Sequence, residues 1–145
     1  MGGSKLGSPS LDYSREHAKN GKPHIVHLSG PALSLLKAIP RTGDLVFSND
    51  GTTRSQGHSK AKKRLDKLSK VADWTLHDLR RTVVSGMARL GVAPHIADKI
   101  LNHQTGTISG VAAVYQRHEF LSERKDALKL WGRHIRGLVS GRMAA

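Results

Sequence analysis

The chain has no cysteine among its 145 residues, which excludes disulfides and thiolate metal sites; any zinc would have to rest on His, Asp or Glu alone. Aromatic residues amount to only 4%, which disfavours a surface of base-stacking platforms for single strands. Acidic residues are scarce as well. Eleven Asp plus Glu against 24 Lys plus Arg leave a formal charge of +13, an excess that calls for an anionic partner. Asp44, Asp50, Asp66, Asp73, Asp78 and Asp98 are scattered singly, whereas two-metal nucleases need clustered carboxylates. No run approaches the roughly 18 apolar residues of a membrane span, and the first residues lack the apolar core of a secretory signal. A soluble chain with no membrane partner is expected. A hydrophobic fraction of 37% argues against full disorder, and the length suits one domain.

What is present reads as a small antiparallel sheet followed by helices. Residues 1–10 are Gly/Ser-rich and read as a flexible leader or an engineered join, the fold is expected over 11–138, and 139–145 as a flexible tail. Leu11 to His17 and His24 to Leu28 have the pattern of two strands around Asn20-Gly21, a pair suited to a type I′ turn flanked by Lys19 and Lys22. Pro23 withholds an amide donor, which suits an edge strand. Pro31 opens a short helix from Ala32 to Ile39, and Pro40 stops it. Leu45-Val46-Phe47 is a candidate third strand before the Asn49-Asp50-Gly51 turn.

From about Ser55 to Ala72 the spacing is helical, with Ala61, Leu65, Leu68 and Ala72 on one face and Lys60, Lys63, Arg64, Lys67 and Lys70 elsewhere. Such a charge run suits either a solvated face or a DNA-backbone contact, and the net charge favours contact. Thr75 has the character of an N-cap with acidic Asp78 three residues on, and Leu79, Val83, Met87 and Leu90 recur on one stripe until Gly91. Pro94 opens a further helix with Ile96, Ile100 and Leu101 turned inward, and a short helix carries Val111, Val114 and Tyr115. Ser122 is a candidate cap for a last helix to about Leu138, with Leu128, Trp131, Ile135 and Leu138 as its apolar stripe. Trp74 and Trp131 read as core or interface anchors. The fold class is therefore α+β, mostly helical.

His77 and Arg80, three positions apart on one helix, share a face and can aim at one anion together. His24 and His27 make a poor metal pair, because an odd separation in a strand puts them on opposite faces. The order Lys, His-x-x-Arg, His, Tyr runs through the chain as Lys19, His77-Asp-Leu-Arg80, Leu101-Asn-His103 and Val114-Tyr115. This series, with its second helix ending in Leu-x-His and its Tyr in an apolar setting, resembles the C-terminal signature of the tyrosine recombinases, the phage-integrase family. The resemblance runs from about Leu11 to Trp131.

The resemblance implies site-specific recombination of double-stranded DNA through a 3′-phosphotyrosyl intermediate, with Tyr115 as nucleophile. Arg80 would hold a nonbridging phosphate oxygen, His77 and His103 would add hydrogen bonds, and His77 could accept a proton. Lys19 would protonate the departing 5′-oxygen, a task that Lys22 across the same turn could also serve. Arg81 and the cations of the 55–72 helix would contact DNA. No cofactor or metal is implied, since guanidinium, imidazolium and ammonium groups stabilise the charge.

The family also carries an arginine upstream of the hairpin and an N-terminal DNA-grasping domain, and neither has a counterpart here; Arg15 is too close to Lys19. The chain thus reads as a truncated catalytic domain, poorly active alone, that would oligomerise on DNA within a full-length protein. A cytoplasmic, nucleoid-associated enzyme of bacterial, phage or mobile-element origin is implied. The terminal helix would dock on a neighbouring protomer or pack at home. A rival from another class is a noncatalytic basic module in which His77–Arg89 and Pro94–Asn102 act like a helix-turn-helix and Tyr115 is a core phenol. An RNA- or ribosome-associated protein would share the charge but leave the residue series a coincidence.

Overall fold

The computed structural model describes residues 9–13, 23–48, 50–53, 57–102 and 118–141. Two short strands, β1 (Ser10–Tyr13) and β2 (His24–His27), pair antiparallel in the register Ser10↔His27, Leu11↔Val26, Asp12↔Ile25 and Tyr13↔His24. Helices follow: α1 (Gly30–Ala38), α2 (His58–Ser69), α3 (Leu76–Arg89), α4 (Pro94–Ile100) and α5 (Leu121–Val139). The architecture is α+β and mostly helical, as the sequence pattern predicts. The leader up to Ser8, the Asn20-Gly21 turn and the short helix around Tyr115 lie outside the described residues.

Local chemistry sets the helix ends. Pro31 stands in the first turn of α1 and Pro94 in that of α4, where a missing N–H costs nothing. At Thr75 the Asp78 carboxylate accepts from the Thr75 amide at 2.9 Å and from its hydroxyl at 2.8 Å, a capping-box arrangement that starts α3. Its end is a Schellman turn: Gly91 takes φ +80°, its amide donates to Ala88 and the next amide, Val92, to Met87.

The longest helix, α5, is the spine that α1, α3, α4 and β2 all meet. Two of these contacts use glycine to bring atoms close. Trp131 of α5 lies on Gly86 of α3, and Gly132 of α5 abuts Ser29 and Pro31 at the start of α1. Met87, Ile96, Ala97 and Ala127 form the buried apolar centre, so α3, α4 and α5 share one core.

Several expectations need correction. Residues 45–47 form no strand: Leu45 donates to the Gly51 carbonyl, and the Ser48 and Asp50 side chains close a tight turn by bonding to each other, to Gly51 and to 52–53. That turn uses up the local backbone groups, and Val46 and Phe47 are left exposed. Leu65 and Leu68, the apolar face of α2, are exposed as well, and α2 spans a narrower range than 55–72. Leu79, expected on the buried stripe of α3, is 53% exposed, and Leu76 in the same first turn is 51% exposed. The cap of α5 is Phe120, at φ +48°, and Ser122 is already inside the helix. On the α5 stripe, Leu128 and Trp131 are half-buried whereas Ile135 and Leu138 are exposed. The buried positions of α5 are instead Arg124, Ala127 and Gly132.

Candidate active site

Two of the expected site residues, His77 and Arg80, sit in the first half of α3, and both line one cleft of about 260 Å³. Arg81, Val84 and Ser85 continue its α3 wall, and Leu101, at the end of α4, closes the other side. The Arg80 guanidinium donates to the Leu101 carbonyl, which fixes the planar fork at the cleft wall. His77 is exposed, and Arg80 is half-buried. The N-terminal end of α3 adds the positive pole of its helix dipole to these two donors, so the cleft favours an anion.

Asp78 stands between them in sequence, and its ionised carboxylate at the cap offsets part of that field. Its carboxylate is committed to the cap, and the bonds from the Thr75 amide first and the Thr75 hydroxyl next hold it below the ordinary carboxylate range. It also pairs at 3.2 Å with Arg81, itself a residue of the cleft wall.

The end of α4 is held from two directions. Ile100 and Leu101 are consecutive, and their carbonyls receive His24 Nε2 at 3.3 Å and Arg80 respectively. A carbonyl only accepts, so His24 carries its proton on Nε2. Its Nδ1 then faces the Arg124 guanidinium at 3.4 Å as an acceptor. Burial, with the Arg124 charge second, pushes this imidazole below its ordinary value, consistent with a neutral ring.

The basic helix presents its cations outward. Lys60, Lys63, Arg64, Lys67 and Lys70 are all exposed, and at about 100° per residue the four within α2 fall on one arc of about 100°. Lys62 is different: it pairs with Asp66 at 2.7 Å, donates to the Ala72 carbonyl at 3.1 Å and lies 4.8 Å from the centre of the Trp74 ring. It ties the first half of α2 to the segment before α3. Lys19, His103 and Tyr115 lie outside the described residues, and so does Lys22. Among the described residues no group of three or more His, Asp or Glu is arranged to hold a metal, and no helix is long and apolar enough to cross a membrane.

Residues 10–120 match the model of the phage integrase family. The chain belongs to that family. Its members are tyrosine recombinases, so the family-level activity is site-specific recombination with DNA as partner. No curated protein and no solved structure matches the chain. Within this integrase-family fold, composition and motif spacing lead to His77 and Arg80, but not to His24 and Arg124. One signal for the latter was available: the α5 stripe Leu128, Trp131, Ile135, Leu138, continued back by four residues, lands on Arg124.

Proposed function

We propose that this chain supplies the phosphoryl-transfer centre of a site-specific recombinase, with Tyr115 as nucleophile. The phenolic oxygen attacks a backbone phosphorus, a phosphotyrosyl bond forms at the 3′ side, and the bond to the 5′-oxygen breaks. His77 takes the phenolic proton, and Lys19, or Lys22 in its stead, returns one to the leaving 5′-oxygen. Arg80 and His103 donate to the nonbridging oxygens as charge grows on them. The exposed cations Lys60, Lys63, Arg64, Lys67, Lys70 and Arg81 hold the duplex by its phosphates.

One observation supports this reading above the rest. His77 and Arg80 share a single cleft with the end of α4, and the next residue but one after Leu101 is His103. A phenol with an ordinary value of about 10 needs such a cationic setting to react near neutrality. In this proposal a further arginine and a DNA-grasping domain come from the rest of a parent protein, which assembles as an oligomer on its site inside a bacterial, phage-infected or mobile-element-bearing cell.

The test incubates the parent protein with a library of nicked duplexes of randomised sequence and isolates protein bound to DNA after denaturation. A denaturant-resistant adduct whose peptide map places the DNA on Tyr115, lost in Tyr115→Phe, is the expected result. An adduct that persists in Tyr115→Phe overturns the assignment. Salt-sensitive duplex binding with no adduct would leave a noncatalytic DNA-binding module.

A further inference from the structure

Among the described residues Arg124 is the one buried polar or charged side chain, at 2% exposure. Removing a guanidinium from water is costly unless its donors find partners. An unbranched apolar side chain such as Met would fill most of that space without the cost, so packing alone does not account for an arginine. What an apolar residue could not do is bind several acceptors at once. The Arg124 guanidinium donates to the Ile25 carbonyl on β2, to the Glu119 carbonyl at 3.2 Å and to the Glu119 carboxylate at 3.3 Å, and it faces His24 Nδ1. His24 carries the linkage on to the Ile100 carbonyl, and Lys99 of α4 reaches the same Glu119 carboxylate at 3.2 Å.

These bonds gather three chain segments that are remote in sequence: β2, the end of α4, and residues 118–120 before α5. The last of these is itself tightly shaped. Phe120 takes a left-handed φ of +48°, its ring sits between those of His95 and His118 with centroids at 5.0 and 4.5 Å, and its amide donates to His118 Nδ1 at 3.1 Å. A non-glycine residue in that region is strained, so the segment needs the surrounding bonds to hold its shape.

We infer that Arg124, with His24, is a positioning device that locks β2, the end of α4 and the 118–120 segment into one frame. Resting on the function proposed above, the inference gives this frame a purpose. The three segments lie, in sequence, five residues after Lys19, three residues before His103 and three residues after Tyr115. In this role Arg124 is a positioning residue: its partners are Ile25, Glu119 and His24, and it acts through the segments that flank the proposed reacting residues in sequence.

The test has two arms. In the first, amide hydrogen exchange is measured on the 145-residue chain and on Arg124→Met, Arg124→Lys and His24→Phe. Both Arg124 variants are expected to raise exchange at least tenfold at Leu28, at Leu101 and Asn102 and at Arg124 together, with the amides of α2 unchanged as internal reference. His24→Phe, which keeps a planar aromatic ring but removes both nitrogens, should loosen Leu101 and Asn102 in the same way. Acceleration confined to α5, or none, overturns the frame whatever the chemistry of the protein.

In the second arm, the same substitutions in the parent protein should slow adduct formation at least tenfold while duplex affinity stays within about twofold. Arg124→Lys keeps the charge opposite Glu119 but not the fork. Recovery of the wild-type rate by Lys would therefore reduce Arg124 to a plain ion pair and refute the positioning role. If Arg124→Met proves too unstable to study, His24→Phe decides: a folded protein with unaltered exchange and rate refutes the inference. A wild-type protein that gives no adduct fails the proposed function and leaves the exchange arm to judge the frame.

Discussion

Substituting Gly86 by alanine tests how α3, the helix that carries His77 and Arg80, is seated on α5. A methyl group there would lie 2.3 Å from Trp131 Cζ3 and 2.6 Å from Cη2. Ordinary carbon contacts begin at about 3.5 Å, so ring and helix must part by on the order of 1 Å. Overpacking of this kind costs about 1–3 kcal/mol. Against it stands the gain of about 1 kcal/mol for alanine over glycine inside a helix. The expected net effect of Gly86→Ala is a loss of up to about 2 kcal/mol. In a Trp131→Leu background the clash is gone and only the propensity gain remains, so there the same change should stabilise by about 1 kcal/mol. Urea unfolding of the four proteins, read as midpoint shifts at constant slope, gives the coupling between the two sites directly. A coupling of about 1–3 kcal/mol is expected. If Gly86→Ala stabilises both backgrounds equally, Trp131 does not rest on Gly86, and the seating of α3 described above is wrong.

Three further outcomes are expected. Burial, followed by the Arg124 charge, holds His24 and His27 below the ordinary 6.5, with Lys125 adding to the effect at His27. The unfolded chain then takes up protons first, so stability should be level above about pH 6.5 and fall as pH drops below it, until the folded rings protonate too. Thermal melts between pH 5 and 8 check this, and stability rising toward pH 5 would contradict it. Neutralising Lys60, Lys63, Arg64 and Lys67 with glutamine should weaken duplex binding and flatten the dependence of log K on log salt by about 0.9 for each phosphate no longer neutralised, as measured by fluorescence anisotropy; an unchanged slope would make α2 a solvated face. Arg80→Lys removes the planar fork while keeping the charge, and adduct formation should drop on the order of a hundred- to a thousandfold with little change in duplex affinity. A rate within threefold of wild type would take Arg80 out of the reaction.

The features that sequence pattern predicts well are those fixed by neighbours along the chain. Pro31, Thr75 with Asp78, Gly91 and Pro94 mark helix ends through bonds that span no more than five residues, and each stands where such chemistry requires. The pairing of His77 with Arg80 is legible for the same reason, being one turn of one helix. Strand formation is not local: Leu45-Val46-Phe47 has strand composition, but Ser48, Asp50 and Gly51 fold that stretch back on itself instead of leaving an edge to pair. Gly51 is needed there, since its φ is +80° and a side chain would strike the Thr42 carbonyl at 2.3 Å.

Periodicity fails in a more instructive way on α2, α3 and α5. It reports which residues share a face and says nothing of whether another element covers that face, so Leu65, Leu68, Leu79 and Leu138 are in phase yet exposed. The same logic hid Arg124. A charged residue in phase with an apolar stripe is naturally assigned to the flank, because burial of an unpaired guanidinium is prohibitive. It becomes tolerable only when acceptors arrive from elsewhere, here Ile25 and Glu119, the first 99 residues away. Those partners belong to the tertiary fold, and no window along α5 contains Ile25. An arginine standing in phase with a core stripe is thus a sequence-level pointer to a junction of distant segments. For the proposed site, whose residues run in sequence from Lys19 to Tyr115, a junction of that kind is what convergence would demand.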